Sequence, residues 1–152
     1  MKIVIIAIGV LKRGPELELI NNYQKQMSWP LQIVELPSNN KLSGKALKEF
    51  EAAKITAKIP KGSKIIAMDE RGKSYSSQEF AKILSNEQLN GNKKICFIIG
   101  GADGLDKSIL ELCQSRIALG NMTWPHKLAR AMLVEQIYRA EKITSSHPYH
   151  RE

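Results

Sequence analysis

Short β-branched runs alternate with amphipathic stretches along most of this chain, and that alternation limits the possible folds more than any other feature. The apolar runs are Lys2 to Gly9, Gln32 to Leu36, Lys64 to Asp69 and Lys93 to Ile99. Between them lie Glu16 to Met27, Gly44 to Ile59 and Ser77 to Leu89, where apolar residues recur three and four apart, as in Phe50, Ala53 and Ala57 or Phe80, Ile83 and Leu84. Strand and helix alternating in this way predict an α/β fold, a mostly parallel sheet flanked by helices on both faces. Ile95 to Ile99 is continuously apolar, as a central strand buried on both faces requires. A further helix is expected from Leu105 to Arg116, and the strongest helical pattern runs from His126 to Ile143. There Leu128, Met132, Ile137, Ala140 and Ile143 form an apolar side, and Arg130, Glu135, Arg139 and Lys142 a polar one. Leu133 and Val134 widen the stripe, which fits burial on two sides, by the sheet and by a partner subunit.

The chain has 152 residues with no repeat or low-complexity tract, so one domain over residues 1–152 is expected. Its formal charge of +8 favours an acidic partner, nucleic acid before an anionic membrane. The apolar start, Ile3 to Leu11, follows only Met1 and Lys2, is closed by Lys12 and Arg13, and has no small-residue cleavage site after it. It reads as a buried strand rather than a secretory signal. No segment approaches the roughly 20 apolar residues of a membrane span. Cys96 and Cys113 stand in neither a metal-ligand nor a CxxC spacing, which suits reduced residues of a soluble cytoplasmic protein.

Chemistry is expected where glycines follow strands. Gly100-Gly101-Ala102-Asp103-Gly104 lies just past the central strand, where backbone approaches a ligand closely in open α/β sheets; the same stretch also reads as a turn into a helix capped by Asp103 or Asp106. No GxxxxGK[ST] occurs, and Gly9-Val10-Leu11-Lys12-Arg13-Gly14 is no GxGxxG, so a P-loop and a dinucleotide site are both disfavoured. Met68-Asp69-Glu70-Arg71-Gly72-Lys73 and Gly120-Asn121-Met122-Thr123-Trp124-Pro125-His126 are expected at the same sheet edge. The second suits an apolar slot for a flat heteroaromatic ring, while Met122 and Trp124 read equally as core residues at the end of a fifth strand. The chain closes on Ser145-Ser146-His147-Pro148-Tyr149-His150-Arg151-Glu152, which concentrates two imidazoles, a phenol and a guanidinium where chains usually carry nothing of value.

Taken together, Gly100-Gly101-x-x-Gly104, Thr123-x-Pro125-His126-x-Leu128-x-Arg130, Glu135-Gln136-Ile137-Tyr138-Arg139-Ala140 and His147-Pro148-Tyr149-His150-Arg151-Glu152 resemble the ribosomal RNA large subunit methyltransferase H family, small SPOUT-class enzymes. The likeness runs from the first strand to the last residue. It implies a C-terminal trefoil knot, a homodimer, and S-adenosylmethionine as cofactor. The implied reaction is methylation of N3 of a pseudouridine in a 23S rRNA stem-loop at the subunit interface. Carried over by position, the implied cofactor contacts are Met68, Gly100, Gly101, Gly120, Asn121, Met122, Thr123, Trp124 and Pro125. Met68 stands where the family has Leu, and Trp124 where it has an aliphatic residue.

Methyl transfer from a sulfonium to a ring nitrogen needs no metal, because the donor carries its own leaving group. Alignment supplies about 7–11 kcal/mol of such a barrier. The imide proton must also leave. His147, His150 and Glu135 are candidate bases, Arg151 and Arg139 candidates to stabilise the imidate or clamp phosphate, and Tyr149 to stack on or hydrogen-bond the base. Arg151 is expected to reach the partner's active site. Lys12, Arg13, Lys41, Lys45, Arg71 and Lys73 lie in or beside loops where together they can track an RNA backbone, while each singly reads as a solvated surface residue. With no separate RNA-binding module, the substrate is expected to be the assembled ribosome rather than free rRNA. One alternative is a non-catalytic ribosome- or RNA-binding protein of the same fold; another is a flavodoxin-like nucleotide-binding domain, which leaves the terminal motif unexplained.

Overall fold

Isoleucine and valine dominate the inner strands because both faces of a parallel sheet are covered by helices and branched side chains fill that space. The computed structural model describes residues 1–146. The elements follow as β1 (Lys2–Ile8), α1 (Pro15–Gln26), β2 (Leu31–Leu36), α2 (Gly44–Thr56), β3 (Lys64–Ser74), α3 (Ser77–Leu89), β4 (Lys94–Ile99), α4 (Lys107–Leu112), β5 (Ser115–Ala118) and α5 (His126–Thr144). The five strands pair in parallel in the order β2-β1-β4-β3-β5, which puts β4 in the middle, as expected, between β1 and β3. Alternate strand residues serve opposite cores. Ile3, Ile5, Ile95, Phe97 and Ile66 pack with α1, α3 and α5, whereas Val4, Ile6, Ile8, Cys96 and Ile98 pack with Ile55 of α2 and Ile109 of α4.

Two elements depart from the sequence expectation. The helix expected from Leu105 to Arg116 is only Lys107–Leu112. Asp106 caps it, accepting from the Ser108 backbone N–H at 2.9 Å, and Cys113 is already extended (φ −81, ψ 134). Residues 115–118 then pair with β3 as an edge strand. Pairing at an open sheet edge here outweighs a helical spacing of apolar residues. The stretch after Met68, expected as a loop, instead belongs to a longer β3. Ile117 registers with both Met68 and Lys73, so residues 69–72 bulge out and pairing then resumes. A smaller difference is that α2 stops at Thr56 rather than Ile59.

α5 corrects a third expectation. Arg130, assigned by periodicity to the polar side, is wholly buried on the same stripe as Leu133, Val134, Ile137 and Glu141. The width of the stripe follows from packing against both α1 and α3 as well as the sheet. Leu128 and Met132 stay half-buried.

Glu141 anchors the far end of α5. Its carboxylate accepts the backbone N–H groups of Ser28 (2.8 Å) and Trp29 (2.5 Å) and the ammonium of Lys142 (2.7 Å), fixing the turn between α1 and β2. Burial pushes its pKa up, but the hydrogen bonds from Lys142, Trp29 and Ser28 outweigh that and hold it below the usual 4.5. The folded state therefore favours the ionised form. Its contribution is complete above about pH 4.5 and fades as pH falls through the lower folded-state value. Glu141→Gln is expected to lower stability by roughly 1–2 kcal/mol at pH 7 and to flatten the acid limb below pH 5, read by urea melts at stepped pH. An acid limb as steep as that of the unaltered protein would contradict this.

Candidate functional site

The loops after β4 and β5 and the bulge of β3 at residues 69–72 meet on one edge of the sheet, the location at which open α/β sheets bind ligands. Between these loops lies a cleft of about 810 Å³. Met68 to Arg71 form one wall, Ile99 to Leu105 the floor, and Met122 to His126 the opposite wall. Each has a local cause. The floor is held by the Gly104 N–H donating to Gly101 O at 3.1 Å, and by Asp103, which accepts the Gly44 N–H at the start of α2 at 3.2 Å. Of the two expected caps for α4, Asp106 is thus the cap and Asp103 the tie to α2. A Cβ on Gly100 would stand 2.9 Å from the Gly104 carbonyl carbon, so the turn requires glycine there.

The two walls are tied to each other. Thr123 Oγ1 donates to Glu70 Oε2 at 2.6 Å, and Trp124 Nε1 donates to Leu119 O at 3.0 Å. Met122 is 72% exposed and Trp124 38%, both beyond the end of β5, so neither is a core residue of that strand. An exposed thioether and an indole anchored by its nitrogen beside a glycine floor offer apolar contact with hydrogen-bonding backbone nearby. That is what a flat heteroaromatic ligand needs.

The cleft gathers Met68, Gly100, Gly101, Met122, Thr123, Trp124 and Pro125 from the expected cofactor set. Gly120 lines the adjoining groove, and Asn121 lines neither. That groove, about 480 Å³, opens between α1, α3 and α5 and is lined by Leu19, Tyr23, Tyr75, Leu128, Met132 and Glu135, among others. Met68, Ile117, Ala118 and Leu119 face both hollows. Glu135 belongs to the groove rather than the cleft. Its Oε1 accepts from Arg139 Nη2 at 2.6 Å and Nε at 2.9 Å, so these two candidates form one ion pair. His147, Tyr149, His150 and Arg151 lie outside the described residues.

Sequence reasoning missed Arg116 and Lys48, and placed Glu70 and His126 at this edge without giving them a role; all four line the cleft. Burial, then the charges of Arg130 and Lys127, push the His126 pKa below 6.5, so its imidazole is neutral at pH 7 and offers one donor and one acceptor. Arg130 stands behind the wall formed by Met122 to His126. It donates from Nη1 to Glu35 Oε1 at 3.0 Å and from Nη2 to Ile8 O at 3.1 Å and Gly9 O at 2.9 Å, while Glu35 Oε2 accepts the Leu11 N–H at 3.2 Å. Burial draws the Arg130 pKa down and Glu35 opposes that shift. A sequence signal existed: Glu35 is the one charge within the β2 run Leu31–Leu36, and it needs a partner. Among the described residues no group of three or more His, Cys, Asp or Glu is placed to hold a metal ion, and no helix is long and apolar enough to cross a membrane.

Comparison with known proteins adds a second line of observation. Residues 1–150 match the family described as "Predicted SPOUT methyltransferase". The chain is 46% identical over 152 residues to the ribosomal RNA large subunit methyltransferase H of Zymomonas mobilis subsp. mobilis, covering 100% of this chain and 99% of that one. It is 40% identical over 151 residues to the protein of the same name from Rhodospirillum centenum, with 99% of each covered. A solved structure of a probable methylase family protein from Haemophilus influenzae Rd KW20 superimposes with a TM-score of 0.54 at 14% identity, covering 99% of this chain and 70% of that one. That likeness concerns the fold.

Proposed function

This chain belongs to the SPOUT methyltransferases, among the ribosomal RNA large subunit methyltransferase H proteins, and from that premise we propose that its rRNA methylation uses S-adenosylmethionine to modify N3 of a pseudouridine in a 23S rRNA stem-loop. One observation carries the cofactor assignment: the bulge of β3 and the loops after β4 and β5 converge on a single cleft whose lining includes Met68, Gly100, Gly101 and Met122 to Pro125. Those residues fit the donor. Gly100 and Gly101 give close backbone approach on the floor, and Met68, Met122 and Trp124 offer apolar surface for adenine. When bound, the donor supplies a methyl group on a positively charged sulfur that leaves as a neutral thioether.

The remaining work falls to the protein. The cleft walls orient the donor, and alignment with the acceptor nitrogen is the largest contribution they can make. His147, His150 and Glu135 are the groups proposed to accept the N3 proton. Arg151 and Arg139 supply positive charge for the imidate, and Tyr149 holds the base by stacking or hydrogen bonding. The groove beside the cleft is proposed to seat a second copy of the chain. Its lining is largely apolar, and it shares Met68 and Ile117 to Leu119 with the cleft. A partner there would bring its own terminus next to the donor. The proposal extends to the fold, with the C-terminal segment threaded as a trefoil knot on the strength of the family likeness. Reduced cysteines and a ribosomal substrate fit the cytoplasm.

The test is calorimetric titration with S-adenosylmethionine, followed by tritiated methyl transfer to large ribosomal subunits, extracted rRNA and subunits lacking the pseudouridine, with mass spectrometry of the product. Transfer to subunits alone, at N3, is the expected result; absence of both cofactor affinity and transfer would leave only an RNA-binding role. A charge-assisted hydrogen bond contributes about 1.5 kcal/mol, so Arg151→Ala is expected to lower kcat about tenfold with cofactor affinity retained. A native rate in that variant would remove Arg151 from the reaction.

A further inference from the structure

Positive charge gathers on the sheet edge opposite the cleft. Strands begin there and helices end there, because every strand is parallel. Lys2 opens β1, Lys61 and Lys64 lie in the turn into β3 and at its start, and Lys93 and Lys94 occupy the turn into β4 and its first position. Lys2 and Lys94 are register partners on neighbouring strands, and the Lys2 N–H donates to Lys93 O at 2.9 Å. These ammonium groups therefore rise from adjoining backbone, with strands only about 4.8 Å apart.

Little acid opposes them. Glu87 is engaged by Lys64 at 3.3 Å, Glu111 by Lys107 at 3.6 Å, and Glu141 is buried and satisfied by Ser28, Trp29 and Lys142. Lys2, Lys61, Lys93 and Lys94 are exposed and, among the described residues, make no ion pair. Cations at helix ends complement the helix dipole, which accounts for Lys25, Lys54 and Lys142 in last turns. It does not account for these four, which stand on strand starts and turns. Like charges held side by side repel, and a polyanion relieves that repulsion.

We infer that this edge, formed by Lys2, Lys61, Lys93 and Lys94, is a second contact surface for rRNA phosphates, separate from the cleft; the inference rests on the rRNA methyltransferase reading. A seven-residue strand such as β1 spans about 20 Å, so the phosphates engaged here lie well away from the nucleotide at the cleft. The contact is electrostatic and independent of sequence. It holds the particle without touching the chemistry.

The experiment is methyl-transfer kinetics of K61Q/K93Q/K94Q on large ribosomal subunits across a salt series. The KM for subunits is expected to rise at least about tenfold, and the slope of log affinity against log salt to shrink by about two, from three lost phosphate contacts. The kcat and the S-adenosylmethionine affinity stay as they were, and K61R/K93R/K94R behaves as the unaltered protein. Unchanged KM and slope overturn the inference. So does a loss confined to binding of anionic phospholipid vesicles, which would assign the edge to a membrane. Should the unaltered protein transfer no methyl group to rRNA, the functional reading fails instead. Filter binding to 23S rRNA then decides the surface, with equal affinities of variant and unaltered protein counting against it.

Discussion

Replacing Arg130 by methionine is expected to lower stability by about 3–5 kcal/mol, because a wholly buried cation is removed and the half-buried Glu35 and two backbone carbonyls all lose its hydrogen bonds. Arg130 has no exposed surface, and its guanidinium joins three separate pieces of chain: the Ile8 and Gly9 carbonyls after β1, Glu35 on β2, and α5 itself. Methionine fills similar volume but leaves Glu35 Oε1 and the two carbonyls without that donor. Glu35→Gln in the same chain removes the uncompensated charge while keeping an acceptor for the Leu11 N–H, so the double variant should recover part of the loss. Urea denaturation of the two single variants and the double gives the coupling. If Arg130→Met costs under 1 kcal/mol, or the two changes simply add, the pair does not hold this corner together.

Arg130 and Glu141 show what periodicity reads and what it misreads. Both occupy the buried stripe of α5, at opposite ends, and each satisfies backbone groups of a turn: carbonyls after β1 for the cation, amides before β2 for the anion. A hydrophobicity pattern assigns charged residues to solvent, so it placed Arg130 on the wrong side and gave no reason to single out Glu141. The apolar strands were legible because branched side chains buried on both faces leave an unbroken run. The central place of Ile95–Ile99 was legible for the same reason, but the order of the other strands around it was not. The fifth strand was raised only as one reading of the stretch up to Trp124, and its true bounds were missed because four residues, Ser115–Ala118, carry too little pattern to outweigh the helix before them.

The site divides in the same way. Glycine after β4 and the Gly120–His126 stretch pointed to one edge from composition alone, and the structure brings most of those residues to one cleft. The contact between Thr123 and Glu70 joins loops 53 positions apart, a pairing no local spacing announces. Glu135 and Arg139, four apart on α5, form a helical ion pair, and Glu135 lines the groove rather than the cleft. The assignment of the terminal motif rests on family likeness and chemistry.

Gly72→Ala is expected to weaken S-adenosylmethionine binding about 100-fold, equivalent to about 2.8 kcal/mol, with a smaller loss of stability. The added methyl would stand 2.7 Å from the Arg116 carbonyl carbon and the Ile117 nitrogen and 2.8 Å from Arg116 O. All three are backbone atoms, so no rotamer change relieves the overlap, and either the bulge of β3 or the edge strand β5 must move. Both carry cleft residues: Met68 and Arg71 on one side, Arg116 and Ile117 on the other. A shift of either would also disturb Glu70, and with it the bond to Thr123 that links the two walls. Because the strain falls on the walls and not on the central strands, affinity should suffer more than the melting temperature. Calorimetric titration beside a thermal melt separates these effects. Native cofactor affinity in the variant, with only the melting temperature reduced, would mean that the close approach of β3 to β5 shapes the sheet but not the cleft.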